Sequence, residues 1–230
     1  LPLPALSPIN ASPERRRLIA ALRAGRRALP AWRYAPAPLA QLRRVRELLR
    51  DVEVMLRAAT WEQALLREAY FGRLEELNLE LALCASVGRS EVRRLSRQLY
   101  GSCSAELEAV ARDWVASGVP RRESRLLSAE EAAALAARAL RLAGDDWKLR
   151  CQADLGSRAG LGEQTLFLRT QPVPLRTLRR LLVHELGGHG RSANRARQAP
   201  WGILRLGTRG AAADQEGVAL ERERRAGFFD

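Results

Sequence analysis

The sequence predicts a mainly helical α+β protein, and three observations carry that expectation. Apolar residues recur at helical spacing, between start and stop signals, through the first 143 residues. Strict alternation replaces that spacing between Trp147 and Arg169, and helical spacing returns from Leu175 onward. The same change of period divides the chain into a helical region over residues 1–143 and a mixed part over residues 144–230.

Ser12, followed by Pro13 and Glu14, marks the first helix, because a serine oxygen accepts from free amides and proline is tolerated in the first turn. That helix runs towards Gly25, and Pro30 to Pro38 form a loop. Leu39, Leu42, Val45 and Leu48 then restore the helical period. A longer helix is expected over about Trp61 to Val87, with Leu65, Tyr70, Leu74, Leu77 and Leu81 facing inward and Gly88 as its stop. Shorter helices follow at Glu91 to Tyr100 and Ala105 to Ala116. Ser128 with Glu131 makes a capping box for an alanine-rich helix that ends at Gly144. Trp147, Leu149 and Cys151 alternate with charged and polar neighbours, as Leu166 and Leu168 do with Thr165, Phe167 and Arg169. These runs predict two strands of a small antiparallel sheet, joined by Gly156 to Gly162. Pro172 and Pro174 punctuate the entry to a helix with Leu175, Leu178, Leu181 and Leu182 on one side, which runs into His184. A last helix starts around Asp214 and contains Glu216.

The formal charge of +13 on 230 residues raises polyanionic partners as a class. The distribution argues against nucleic acid: Lys148 is the sole lysine, and many arginines sit among glutamates, as in Glu14 to Arg17 and Glu221 to Arg225, where solvated, paired helix faces result. Such arginine bias suits a GC-rich bacterial genome. Cys84, Cys103 and Cys151 are odd in number and far apart, so neither a disulfide framework nor a thiolate zinc knuckle is indicated, and a reducing cytoplasm fits. No apolar run approaches the roughly 18 residues of a membrane span, and the proline-rich opening lacks the basic start of a signal peptide.

Both histidines of the chain lie in His184-Glu185-Leu186-Gly187-Gly188-His189, beside a glutamate and on an expected helix. Neutral imidazole is the commonest zinc ligand, and a hydrolytic zinc site takes three protein ligands with a fourth position left open, so two histidines and one carboxylate make a suitable set. Spacing raises a difficulty. Histidines five apart on a regular helix point about 140° apart, whereas four apart gives about 40°. A π-type turn, i to i+5, would return both rings to one face, and Gly187 and Gly188 supply room for it. The third ligand should come from a following helix, where Gln215-Glu216-Gly217-Val218-Ala219 offers Glu216, with Glu221 and Glu223 as alternatives. Glu185 is then placed as general base. Elsewhere a paired-histidine helix is often an ordinary core or surface feature. What favours zinc here is that both histidines, two glycines and a downstream carboxylate coincide.

At these residues the chain resembles the tyrosine carboxypeptidase-like zinc metallopeptidases, which include the microtubule-associated tyrosine carboxypeptidases of animals and bacterial proteins with a QEGLA motif. His184 to His189 and Gln215 to Ala219 carry the resemblance. Looser matches at Pro8 to Asn10, Gln98 to Gly101, Leu166 to Arg169, Asn194, Gln198 and Pro200 extend it over most of the chain. It implies a helical N-terminal region packed on a zincin-like core with an HExxxH active-site helix, one Zn2+ held by His184, His189 and Glu216, and Glu185 as catalytic base. Animal members release the C-terminal tyrosine of α-tubulin, so the resemblance implies carboxypeptidase chemistry on a peptide or protein C-terminus; a bacterial chain leaves the substrate open. A terminal carboxylate calls for a cation, for which Arg169, Arg191, Arg195 and Arg197 are candidates, and Tyr100 is a candidate cleft residue. Val218 replaces the usual leucine, and members continue with helical sequence past the third ligand, so the expected core is short at its C-terminal end. Two alternatives stand beside this reading. One is a non-catalytic module that binds zinc or an acidic partner; the other is a peptidase resembling dipeptidyl peptidase III, whose second motif differs.

Overall fold

The helical spacing of the first half is realised as α1 (Ala11–Arg23), α2 (Leu39–Ala58), α3 (Ala64–Ala85), α4 (Glu91–Tyr100) and α5 (Ala105–Ala116). The computed structural model describes residues 8–116, 125–143, 146–153, 155–162 and 164–228. The residues before Pro8 and the expected stop at Gly144 lie outside that set. The chain forms two units, Leu1–Gly118 and Val119–Asp230.

In the first unit, Leu42 of α2 meets Leu81 and Cys84 of α3 in a small core, with Val45 and Leu49 packed against it. Burying a leucine there contributes about 1.5–3 kcal/mol. Leu74 and Leu81 point inward as expected, but Leu65, assigned to the same face, lies in the first turn of α3 and is 80% exposed. Helix α1 begins at Ala11, a residue before Ser12, and Asn10 precedes it. The Asn10 side chain does not cap the helix; its amide donates to the Ala31 carbonyl and its oxygen accepts from the Arg33 amide, tying down the loop after α1.

The second unit contains β1 (Leu126–Leu127), α6 (Ala129–Ala143), β2 (Lys148–Gln152), β3 (Ala159–Gly162), β4 (Thr165–Arg169), β5 (Val173–Pro174) and α7 (Leu175–Leu182). A π-helical segment, Val183–Gly190, then leads to α8 (Arg191–Gln198), α9 (Gly202–Leu206) and α10 (Ala211–Arg225). The capping box is formed as expected: the Ser128 amide donates to Glu131 Oε2 at 2.8 Å, and the Glu131 amide donates to Ser128 Oγ at 3.2 Å. Helix α6 presents Ala132, Ala136 and Leu140 to Leu166 and Leu168 of β4 and Leu178 of α7, forming the core of this unit. Its contacts with β1, β2 and α7 place α6 in the C-terminal unit, whereas the change of period in the sequence sets the division at residue 143.

Two features of the sheet differ from expectation. The connector between the two anticipated strands contains a third, β3, so the strand order is β2-β4-β3. In addition, the sheet is mixed: β3 and β4 pair antiparallel, but β2 and β4 pair parallel. The reason is local. A tight turn through Gln164, at φ 58°, folds β3 and β4 into a hairpin, leaving β4 to offer its other edge to β2 in the same direction. The sequence of β3, Ala159-Gly160-Leu161-Gly162, has too few side chains to signal alternation. No described helix is long and apolar enough to cross a membrane.

Candidate metal centre

The α7 stripe of Leu175, Leu178, Leu181 and Leu182 packs on the core and fixes the direction in which the chain enters the histidine motif. From Val183 the backbone widens to π geometry and keeps it through Gly190. This is the turn that a five-residue spacing demands, and its effect is direct: the Nε2 atoms of His184 and His189 lie 3.2 Å apart, with ring planes inclined at 67°.

Helix α10 crosses the π segment and brings Glu216 to both rings. Glu216 Oε2 is 3.3 Å from His184 Nε2, and Oε1 is 3.3 Å from His189 Nε2. The crossing point is Gly188 against Ala219: a Cβ on Gly188 would lie 2.5 Å from Ala219 Cβ and 2.7 Å from its Cα. Helices approach this closely only where one lacks a side chain. Gly187 has a different role, since a Cβ there would meet nothing nearer than Val183 Cγ1 at 4.0 Å. Helix α10 starts at Ala211 after Gly210 in the left-handed region, so Asp214 falls inside its first turn and does not precede it.

Among the described residues, His184, His189 and Glu216 form a group whose ligand atoms could hold one metal ion, all within 4.8 Å of one another. Their fit to zinc can be tested on distances. Ligands about 2.0–2.1 Å from a tetrahedral ion are about 3.3 Å from each other. The two Nε2 atoms, 3.2 Å apart, stand at that spacing, and Glu216 faces the pair with one carboxylate oxygen 3.3 Å from each ring. The donor set, two imidazole nitrogens and a carboxylate, has the chemistry of a zinc site with one position left open.

Two further carboxylates complete the surroundings. Glu185 is 8% exposed, and burial raises its pKa, with the Glu216 charge adding to that and His184 opposing it. Burial also lowers the pKa of His189 against the pull of Glu216, favouring the neutral ring that a metal requires. Glu223, one of the alternative ligands, lies on the other side of His184: its Oε1 is 2.7 Å from His184 Nδ1, and the residue is 3% exposed. Sequence reasoning missed this role. The available signal was the seven-residue spacing of Glu216 and Glu223, which puts both near one face of α10 with Ala219 between them. Glu221, the other alternative, is bound to Arg224 and Arg225 and does not reach the histidines.

Of the arginine candidates, Arg169 is partly buried on β4, while Arg191 and Arg195 are exposed on α8. Arg197 stacks over the Trp147 ring at 5.4 Å and bonds to Asn194. Tyr100 ends α4 in the N-terminal unit and is 71% exposed.

A family model described as "Microtubule-associated tyrosine carboxypeptidase" matches residues 21–228. No curated protein and no solved structure matches the chain.

Proposed function

This chain belongs to the microtubule-associated tyrosine carboxypeptidase family, and from that premise we propose that it is a zinc-dependent carboxypeptidase that releases the C-terminal residue of a peptide or protein. The observation that carries the proposal is the convergence of His184 Nε2, His189 Nε2 and a Glu216 carboxylate, with all the ligand atoms within 4.8 Å of one another. We read Val183–Gly190 as the active-site helix and the C-terminal unit as a zincin-like core.

In this reading the two imidazoles and Glu216 hold the ion. Zinc bound there would polarise the scissile carbonyl and acidify a water molecule. Glu185 takes the proton that water gives up as its oxygen bonds to the carbonyl carbon. It then hands that proton to the amine nitrogen as the C–N bond breaks. Its burial suits the task, because a carboxylate whose proton affinity is raised is a better proton acceptor. A carboxypeptidase also needs a cation for the substrate's terminal carboxylate, and Arg169, Arg191 and Arg195 are the candidates in the same unit as the metal ligands.

The test is a peptide library varied at its last residue, incubated with the zinc-loaded protein and read by mass spectrometry. Single-residue shortening that a chelator abolishes and zinc restores is the expected result. Absence of shortening across the library by zinc-loaded protein overturns the proposal.

A further inference from the structure

Glu223 has no part in the reaction just described, yet it is the most deeply buried carboxylate among the described residues. We propose that it is a positioning residue: its hydrogen bond to His184 Nδ1 fixes the tautomer and plane of that ring, so that Nε2 presents a lone pair towards His189 and Glu216, with Arg180 as the cation facing it. This rests on the metal-site reading above and adds a residue to it.

The geometry argues as follows. Seven residues of helix span about 10.5 Å, so Glu216 and Glu223 stand two turns apart on α10. Both nevertheless contact the same imidazole, Glu216 Oε2 at Nε2 (3.3 Å) and Glu223 Oε1 at Nδ1 (2.7 Å). His184 therefore lies lengthwise between two carboxylates of one helix. Ala219, fully buried between them, lets the π segment come close enough for this. An ionised carboxylate only accepts, so the proton of a neutral His184 sits on Nδ1. Nε2 then faces His189 Nε2 at 3.2 Å as an acceptor, with Glu216 at 3.3 Å, an arrangement that a cation in their midst makes favourable. Histidines that ligate metals almost always donate their other N–H to such a partner.

Packing alone does not explain the residue. Glu223 Oε2 is buried and makes no hydrogen bond among the described residues; Arg180 Nε stands 3.7 Å from it. A leucine at this position would serve the core better than a carboxylate with one oxygen unsatisfied. Its presence makes sense when His184 is what it serves.

The test uses the full chain and three proteins: wild type, Glu223→Leu and Glu223→Gln. Zinc affinity is measured by competition with a chromophoric chelator, thermal melting on metal-free protein, and the histidine tautomers by 15N NMR, in which the chain has only two imidazoles to assign. Expected are a loss of about ten- to a hundredfold in zinc affinity for Glu223→Leu, melting of its metal-free form at or above wild type, and loss of the Nδ1–H tautomer at His184. Glu223→Gln, which keeps an acceptor oxygen, should retain the tautomer and recover part of the affinity. It carries the test if the leucine variant does not fold. Zinc binding by Glu223→Leu within twofold of wild type, loss of the Nδ1–H tautomer in Glu223→Gln without any loss of zinc affinity, or a wild-type His184 protonated at Nε2, overturns the proposal. If the wild type itself takes up no zinc, the metal-site reading fails, and this one with it.

Discussion

Replacing Gly188 by alanine puts the architecture of the proposed metal centre under the most direct strain. The new Cβ would sit 2.5 Å from Ala219 Cβ and 2.7 Å from Ala219 Cα. Carbon atoms in contact need about 3.5–4.0 Å, so the shortfall is about 1 Å. No rotamer change relieves it, because one of the opposing atoms is backbone. The π segment and α10 must therefore separate by about that amount, at about 1–3 kcal/mol for overpacking, offset by up to about 1 kcal/mol from alanine's better helix propensity. The proposed metal centre should suffer more than the fold. Ligand distances tolerate roughly ±0.2 Å, and Glu216 is carried on the helix that moves. Gly188→Ala should lower zinc affinity at least tenfold, about 1.4 kcal/mol, while the melting temperature falls by several degrees at most. The matched control is Gly187→Ala, whose Cβ meets only Val183 Cγ1 at 4.0 Å and should leave zinc affinity unchanged. Chelator competition and thermal melting on the two variants decide the matter. Equal zinc affinities for Gly188→Ala and wild type would refute the claim that this contact sets the ligand spacing.

Glu185→Gln keeps the shape of a buried residue that is not a ligand, so it should bind zinc like wild type and lose turnover in the peptide assay; full activity would remove Glu185 from its role. His184→Ala deletes a proposed ligand and should abolish stoichiometric zinc uptake, read by elemental analysis of the dialysed protein. Glu14 is held by Arg17 and by the Ala31 amide, which together lower its pKa from 4.5 to about 2. A carboxylate depressed in the folded state stabilises above its unfolded pKa and loses that contribution as pH falls. Thermal melts of Glu14→Gln should therefore show a shallower pH dependence than wild type between about pH 4.5 and 2. Cys84 is buried and its thiol pKa is raised by that burial, whereas Cys103 and Cys151 are exposed, so a thiol reagent should label two cysteines in the native protein and the third only on unfolding.

How far the sequence could be read depended on whether a signal was local. The Ser128 and Glu131 cap, the leucine stripe of α7 and the wide turn at the histidines each follow from residues within one or two turns, and each is present. The same holds for the meeting of His184, His189 and Glu216, because a five-residue spacing leaves few ways to bring two rings together. Strand β3 was hidden because two of its four residues are glycine, and the parallel pairing of β2 with β4 depends on which edge of a hairpin the chain reaches, which no residue pattern records. Glu223 could be named as a carboxylate near the site but not given its task, since whether a helix offers a side chain to a metal or to the far nitrogen of an imidazole is settled only by how two helices cross.

The widened turn has a genetic corollary. Strike out the one triplet that encodes Gly187, and the i to i+5 ladder can close to the ordinary i to i+4 without moving Gly188, Ala219 or anything downstream. The two imidazoles would then be four positions apart and still neighbours. A single in-frame deletion thus separates this motif from the shorter arrangement, and a gene carrying it should yield a protein that still captures the ion.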